Sequence, residues 1–169
     1  MPNWIEGTLK IRGTKENIEY FIKNGIDYND YKYDLGNSDL KNGYLKTVAV
    51  PRVDCDIVSD KYDLSVKNVR DLHIKETRRM FINSDKIEGY WRDLDKEIIV
   101  IDIQQAWNFD NIELEKLSSK YNVDFYLFGT EKGMEFCQEV EVVDGKTTKN
   151  DCIEFDDFEW ECPDPRLGG

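Results

Sequence analysis

Residues 97–105 place the strongest constraint on how this chain can fold. The run Ile98-Ile99-Val100-Ile101 is almost continuously β-branched. Such side chains lose rotamer freedom in a helix and pack well on a pleated sheet. Ile99, Ile101 and Ile103 fall on one face, so the segment predicts a central strand.

A central strand needs neighbours, and residues 5–12 offer one. Ile5, Gly7, Leu9 and Ile11 alternate with Glu6, Thr8, Lys10 and Arg12, the pattern of a half-buried strand. Gly13 ends it, and Thr14 is a plausible N-cap for a helix carrying Ile18, Phe21 and Ile22. Asn24-Gly25 should stop that helix, with the glycine in the left-handed conformation. Further on, Asp110-Asn111 caps a second helix with Ile112, Leu114, Leu117 and Tyr121 as its apolar stripe, and Asn122 ends it. Val123 to Phe128 predicts another strand, and Gly129 and Gly133 should flank a turn. Met134–Val143 and Lys146–Asn150 predict a hairpin around Asp144-Gly145, a strong two-residue turn signal.

The remaining stretches are less periodic. Residues 26–70 read as an insertion after the first helix, with turns at Gly36-Asn37-Ser38 and Asn42-Gly43. Short strands at Tyr44–Val50 and Val53–Val58 fit within it, the first ended by Pro51. Val69 to Asn83 reads as a strand over its second half, and Tyr90-Trp91 as strand or strand edge. The order β, α, insertion, β, β, α, β, hairpin strand matches the βαββαβ ferredoxin-like pattern. The expected class is therefore α+β: an antiparallel sheet with helices on one face and the other face open. Residues 1–149 form this expected domain, and residues 150–169 an acidic C-terminal extension.

Charge narrows the function classes. The chain carries 35 acidic against 23 basic side chains, a net charge of −12. Phosphate neutralisation needs lysine and arginine, so direct nucleic-acid or anionic-membrane binding is disfavoured, and a basic protein surface is the better-matched partner. Tyr, Phe and Trp number 9, 8 and 4, enough to argue against disorder. Cys55, Cys137, Cys152 and Cys162 form no CxxC pair and read as reduced thiols, with Cys137 a small hydrophobe in a strand. No leader or membrane-length apolar run is visible, so the expected place is the cytoplasm, that of a host bacterial cell.

Residues 151–165 differ from everything before them. They hold seven acids and no base, interleaved with Ile153, Phe155, Phe158 and Trp160. Carboxylates can stand in for phosphates and aromatics can anchor an interface. Asp151, Glu154, Asp156, Asp157, Glu159 and Glu161 are the candidate charges, with Phe155, Phe158 and Trp160 as candidate anchors. The alternative is a solvated tail whose apolar residues pack on the sheet. The Asp27–Asp34 segment, with Tyr28, Tyr31 and Tyr33, either extends an acidic face or forms a tyrosine-stabilised loop. Asp54-Cys55-Asp56 and Asp156-Asp157 offer carboxylates to a metal, but zinc sites usually include histidine, and His73 is the only one. A lone histidine in a strand reads as structural. No phosphate-loop pattern occurs, and Gly129–Gly133 reads as a strand connection. Arg78-Arg79 with Phe81 is the one basic aromatic spot, too isolated for RNA stacking on a sheet face.

Two stretches carry a resemblance. Met1-Pro2-Asn3-Trp4 with its strand to Gly13 is one. The other is Ala106-Trp107 and the helix residues Leu114, Leu117, Ser118, Lys120 and Tyr121, then Phe125-Tyr126-Leu127, Glu131, Gly133-Met134, Phe136 and Asp144-Gly145. Together, over about half the chain, they resemble the YubB-like ferredoxin-like proteins of plasmids and phages. The resemblance implies that fold and a mobile-element origin, but no activity. The family has cysteine after the opening tryptophan, where this chain has Ile5, and its Trp-rich segment is reduced here to Tyr90-Trp91. The insertion and acidic tail lie outside the shared pattern, so a specialised function would sit there. The expectation is a non-enzymatic, cofactor-free inhibitor from a mobile element, its acidic surface competing with nucleic acid for a host nucleic-acid-binding defence protein, of which a CRISPR nuclease is one kind. The alternative is an accessory protein binding a small ligand or partner through its sheet.

Overall fold

In the computed structural model, residues 3–33 and 47–169 are described. The chain runs β1 (Trp4–Gly13), α1 (Lys15–Gly25), β2 (Ile26–Asp27), β3 (Asn29–Tyr33), β4 (Thr47–Pro51), β5 (Ile57–Ser59) and β6 (Asp63–Lys67). It continues β7 (His73–Ile74), β8 (Met80–Ile82), β9 (Lys86–Tyr90), β10 (Glu97–Ala106), α2 (Asn111–Tyr121), β11 (Asp124–Glu131), β12 (Phe136–Val143), β13 (Lys146–Glu154) and α3 (Phe158–Glu161).

The β-branched run forms β10, and β10 lies beside β1 over ten residue pairs, from Trp4 opposite Ala106 to Gly13 opposite Glu97. On its other side β1 pairs with β11, which puts Leu9 between Ile101 and Leu127 and Ile11 between Ile99 and Phe125. Close approach needs two glycines here. A Cβ on Gly7 would lie 2.0 Å from the Phe128 carbonyl oxygen, and one on Gly129 would lie 2.6 Å from the Phe109 ring.

Both long helices cover the face that bears Leu9, Ile101 and Leu127. Thr14 caps α1 through its side chain, which accepts from the Asn17 N–H, and Ile18, Phe21 and Ile22 are buried. Phe21 meets Phe125 edge-on at 5.5 Å and Tyr121 of α2 at 5.2 Å. Asp110 accepts from the Ile112 and Glu113 N–H groups, and Asn122 closes α2 in the left-handed conformation at φ 52°.

The α+β ferredoxin-like expectation is overturned. The protein is mostly β, with thirteen strands among the described residues, and its helices span only 11, 11 and 4 residues. Eight strands form one antiparallel sheet in the order β13-β12-β11-β1-β10-β8-β7-β2, and β3-β4 and β5-β6-β9 form two smaller sheets. The error lies in residues 26–96. Read as an insertion and weak strands, they hold β2 to β9 and contribute to the main core. Leu64, Val66, Val69, Leu72, Ile74 and Ile87 are buried in the same cluster as Ile99 and Leu127. Gly89 of β9 sits so close to β10 that a Cβ would lie 2.7 Å from Ile99.

Smaller corrections follow. Gly25 is not left-handed: it ends α1 with the chain extended at Ile26, and its lack of a Cβ leaves room for the Phe21 ring, 2.8 Å from where that atom would be. Gly129 lies inside β11 opposite Gly7, so the turn begins later, where the Glu131 carboxylate accepts from the Gly133 and Met134 N–H groups. The turns expected at 36–38 and 42–43 lie outside the described residues, as does the first part of the strand expected at 44–50; Thr47–Pro51 forms β4. Residues 53–56 are not strand, and β5 begins at Ile57.

Candidate protein-binding surface

The hairpin that leads to the acidic residues turns at Asp144 and Gly145, with φ values of 49° and 73°. β13 then runs antiparallel to β12 past the expected boundary at residue 150. Asp151 lies opposite Glu139, Ile153 opposite Cys137 and Glu154 opposite Phe136. Asp151 and Glu154 therefore belong to the edge strand of the large sheet rather than to a loose tail.

Beyond β13 the chain folds onto the sheet face opposite the two long helices. Phe158 and Cys162 are buried against Cys137 of β12, with Phe128 and Phe155 packed around them. Phe155 and Phe158 meet edge-on at 5.8 Å. The three polar atoms of this seat are close: the Cys137 and Cys162 sulfurs are 3.7 Å apart, and the Thr130 hydroxyl is 3.3 Å from Cys137. Burial, above all, pushes the Cys137 thiol up to about 11, so it stays protonated and poorly nucleophilic near neutral pH.

Two side chains stabilise the short α3. Asp157 caps it, its carboxylate accepting from the Trp160 N–H at 3.3 Å. The Glu161 carboxylate accepts from the Asp156 and Asp157 N–H groups at 3.0 and 3.3 Å. The last residues are held as well. Gly169 exchanges two backbone hydrogen bonds with Trp4, at 3.0 and 3.2 Å, while Gly168 takes φ 82° against the Thr130 carbonyl.

The resulting knob separates the nine predicted residues by role. Phe158 is the internal anchor and Phe155 is half-buried beside it. Asp157 and Glu161 are spent in part on backbone groups. Asp151 lies 3.8 Å from Lys149, whose nearer partner is Glu139 at 2.5 Å. Glu154, Asp156 and Glu159 are exposed and make no ion pair among the described residues. Trp160 is 86% exposed. The alternative reading, in which the tail's apolar residues pack on the sheet, describes Phe158; what the sequence reading did not single out is Cys162 and the seat it shares with Cys137. Its signal was there: Phe155, Phe158 and Cys162 recur at spacings of one helical turn, the pattern of a single apolar stripe.

The other candidate residues make contacts within the chain. Around Asp27, the Tyr31 hydroxyl and Asn29 amide donate to its carboxylate, and Arg52 of the following loop pairs with Asp30, so both acids have partners within the chain; Asp34 lies outside the described residues. The Cys55 thiol donates to the Asn68 carbonyl, and among the described residues no group of three His, Cys, Asp or Glu side chains could hold a metal. His73 packs on Phe81 at 5.3 Å, with its Nε2 2.9 Å from the Thr77 carbonyl. The Arg79 guanidinium lies over the Trp4 ring. The open sheet face holds a cavity of about 160 Å³ whose lining includes Lys10, Arg12, Ile98 and Tyr126. Among the described residues no helix is long and apolar enough to cross a membrane. No protein-family model, curated protein or solved structure matches this chain.

Proposed function

We propose that the protein acts by binding another protein, its acidic knob competing with nucleic acid for a basic groove. The observation that carries this reading is Trp160, held out into solvent on a turn anchored by Phe158, with Glu159 and Glu161 as its neighbours in the chain and Glu154, Asp156 and Glu159 making no ion pair among the described residues. A buried anchor below and an exposed aromatic above suit an interface hot spot, because the free protein is already ordered and loses little entropy on docking. Unpaired carboxylates around it would take the places of phosphates against Arg and Lys. No cofactor or catalytic group enters this mechanism. The resemblance to the plasmid- and phage-borne family supports a mobile-element source. The corresponding target is a nucleic-acid-binding defence protein in the bacterial cytoplasm, of which CRISPR nucleases are one kind.

Capture from bacterial lysate tests it. The bait should retain a nucleic-acid-binding protein that added duplex DNA releases. Retention should fall steeply with ionic strength, since exposed charges are screened over about 8 Å at physiological salt. A triple variant, Glu154→Lys, Asp156→Lys and Glu159→Lys, should lose the captured protein. Capture that survives this reversal, or that DNA does not displace, would sink the proposal. The cavity lined by Lys10, Arg12, Ile98, Asp124, Tyr126 and Glu141 favours a second reading, a small ligand on the open sheet face. That reading predicts binding that is indifferent to the triple variant.

A further inference from the structure

The two edges of the eight-stranded sheet are unequal. One is β2, only two residues long. The other is β13, nine residues long, without proline and exposed along most of its length. Among the described residues, no backbone–backbone hydrogen bond outside the β12 pairing reaches residues 146–154, and the one backbone group met by a side chain is the Thr147 N–H, which donates to Glu115 at 2.9 Å. Such an edge presents free N–H and C=O groups and is a template for another strand. From the order of charges along it, we infer that β13 pairs with β13 of a second copy of this chain.

The strand reads Lys-Thr-Thr-Lys-Asn-Asp-Cys-Ile-Glu from Lys146 to Glu154. Its bases lie before Asn150 and its acids after it. An antiparallel pairing with a twofold axis at Asn150 sets each Lys149 opposite Asp151 of the second copy, and does so twice. Sliding the register by two residues puts Lys149 on Lys149 or Asp151 on Asp151. Sliding it by one sets residues of opposite faces against each other. Opposite charges directly across a strand pair stabilise it and like charges destabilise it, so the pattern selects one register. The bulge opposite Glu141–Val142 reorients the 146–148 end, so Lys146 and Glu154 add only longer-range attraction. Asn150 at the axis is held on the α2 side, where it accepts from Gln138 at 3.0 Å. The pairing joins two eight-stranded sheets and closes on itself, which limits assembly to a dimer.

The test is molar mass by light scattering after size-exclusion chromatography, near 0.15 M salt. The wild-type chain should run at twice its 19.9 kDa mass. Asp151→Lys puts like charges across the axis at both positions and should weaken the dimer at least ~10-fold. Its side chain is 60% exposed, so the fold should be kept. Lys149→Glu should be monomeric for the mirror-image reason. Mixed in equal amounts, the two variants regain both opposite-charge pairs and should form a dimer. Should Lys149→Glu misfold through loss of its Glu139 contact, the double swap Lys149→Asp with Asp151→Lys serves instead and should dimerise. A monomeric wild-type chain, a dimer indifferent to Asp151→Lys, or failure of both rescues would overturn the inference.

Discussion

The two faces of the large sheet are filled in different ways. On one face, α1, α2 and the β5-β6-β9 sheet bury a continuous cluster from Ile5 through Leu64 and Ile99 to Val142. On the other, a separate seat of three buried residues, Cys137, Phe158 and Cys162, holds the C-terminal knob. Hydrophobic stabilisation scales with apolar area removed from water. The first cluster therefore sets the stability of the whole fold, while the second sets only how firmly the knob is docked. Regions with few buried contacts open locally at lower free energy than the core. The candidate binding surface thus sits on the part of the molecule that is cheapest to release.

Four experiments break or sharpen this contrast. The largest effect is expected from Leu127→Ala, in the fully buried row with Leu9. It should lower the unfolding free energy by about 3 kcal/mol in a denaturant titration. A loss under about 1 kcal/mol would mean that the main cluster relaxes around the cavity and is not the stability-determining unit.

Phe158→Ala comes next and should act on the knob. Amide exchange should quicken over residues 157–162 while the β1–β10 amides stay protected, and the denaturation midpoint should move less than for Leu127→Ala. Thiol labelling reads the same event. Cys152 is exposed and Cys137 and Cys162 are buried, so the buried pair should become reactive only in this variant. Equal quickening of exchange at both faces would show that they unfold as one unit.

Acid should act through Asp124, at the start of β11 where it meets Arg12 of β1 and Lys96. Burial alone would raise its carboxyl, but Lys96 at 3.0 Å, the Asp144 N–H and Arg12 at 2.9 Å outweigh burial and hold it below the ordinary 3.8. A lowered folded-state value contributes stability that is fully present above 3.8 and is lost as pH falls through the folded value. Melting temperature followed from about pH 6 to about pH 2 should fall below this point, and less steeply in Asp124→Asn. Parallel curves for the two proteins would remove Asp124 from the account.

The smallest stability effect belongs to Trp160→Ala. At 86% exposure the ring supports little of the fold, and the change should stay within about 0.5 kcal/mol by denaturation. The same variant should lose the partner captured by the wild-type chain. A large stability loss would instead make Trp160 part of the seat.

Much of the fold was legible where a segment is long and its period is repeated. β1 and β10 showed their strand alternation and α1 and α2 their caps, and the Asp144-Gly145 turn stands as expected because few residue pairs tolerate positive φ at both positions. The nine candidate binding residues were visible as composition, but not their division into anchor, cap and exposed contact. That division depends on Phe158 meeting Cys137, a strand away in space, which neither residue's neighbours in the chain encode.

The sequence by itself thus determined the long strands, the two capped helices and the acidic, aromatic character of the C-terminal residues. These follow from interactions within a few residues, where periodicity and capping act. Tertiary structure decided the class of fold. β2, β5, β7 and β8 have two or three residues each, too few to display a period of two, and they become strands only by hydrogen bonding to partners supplied from elsewhere. It also decided that residues 155–169 lie docked on the sheet, because burial of Phe158 and Cys162 requires a seat built by β11 and β12.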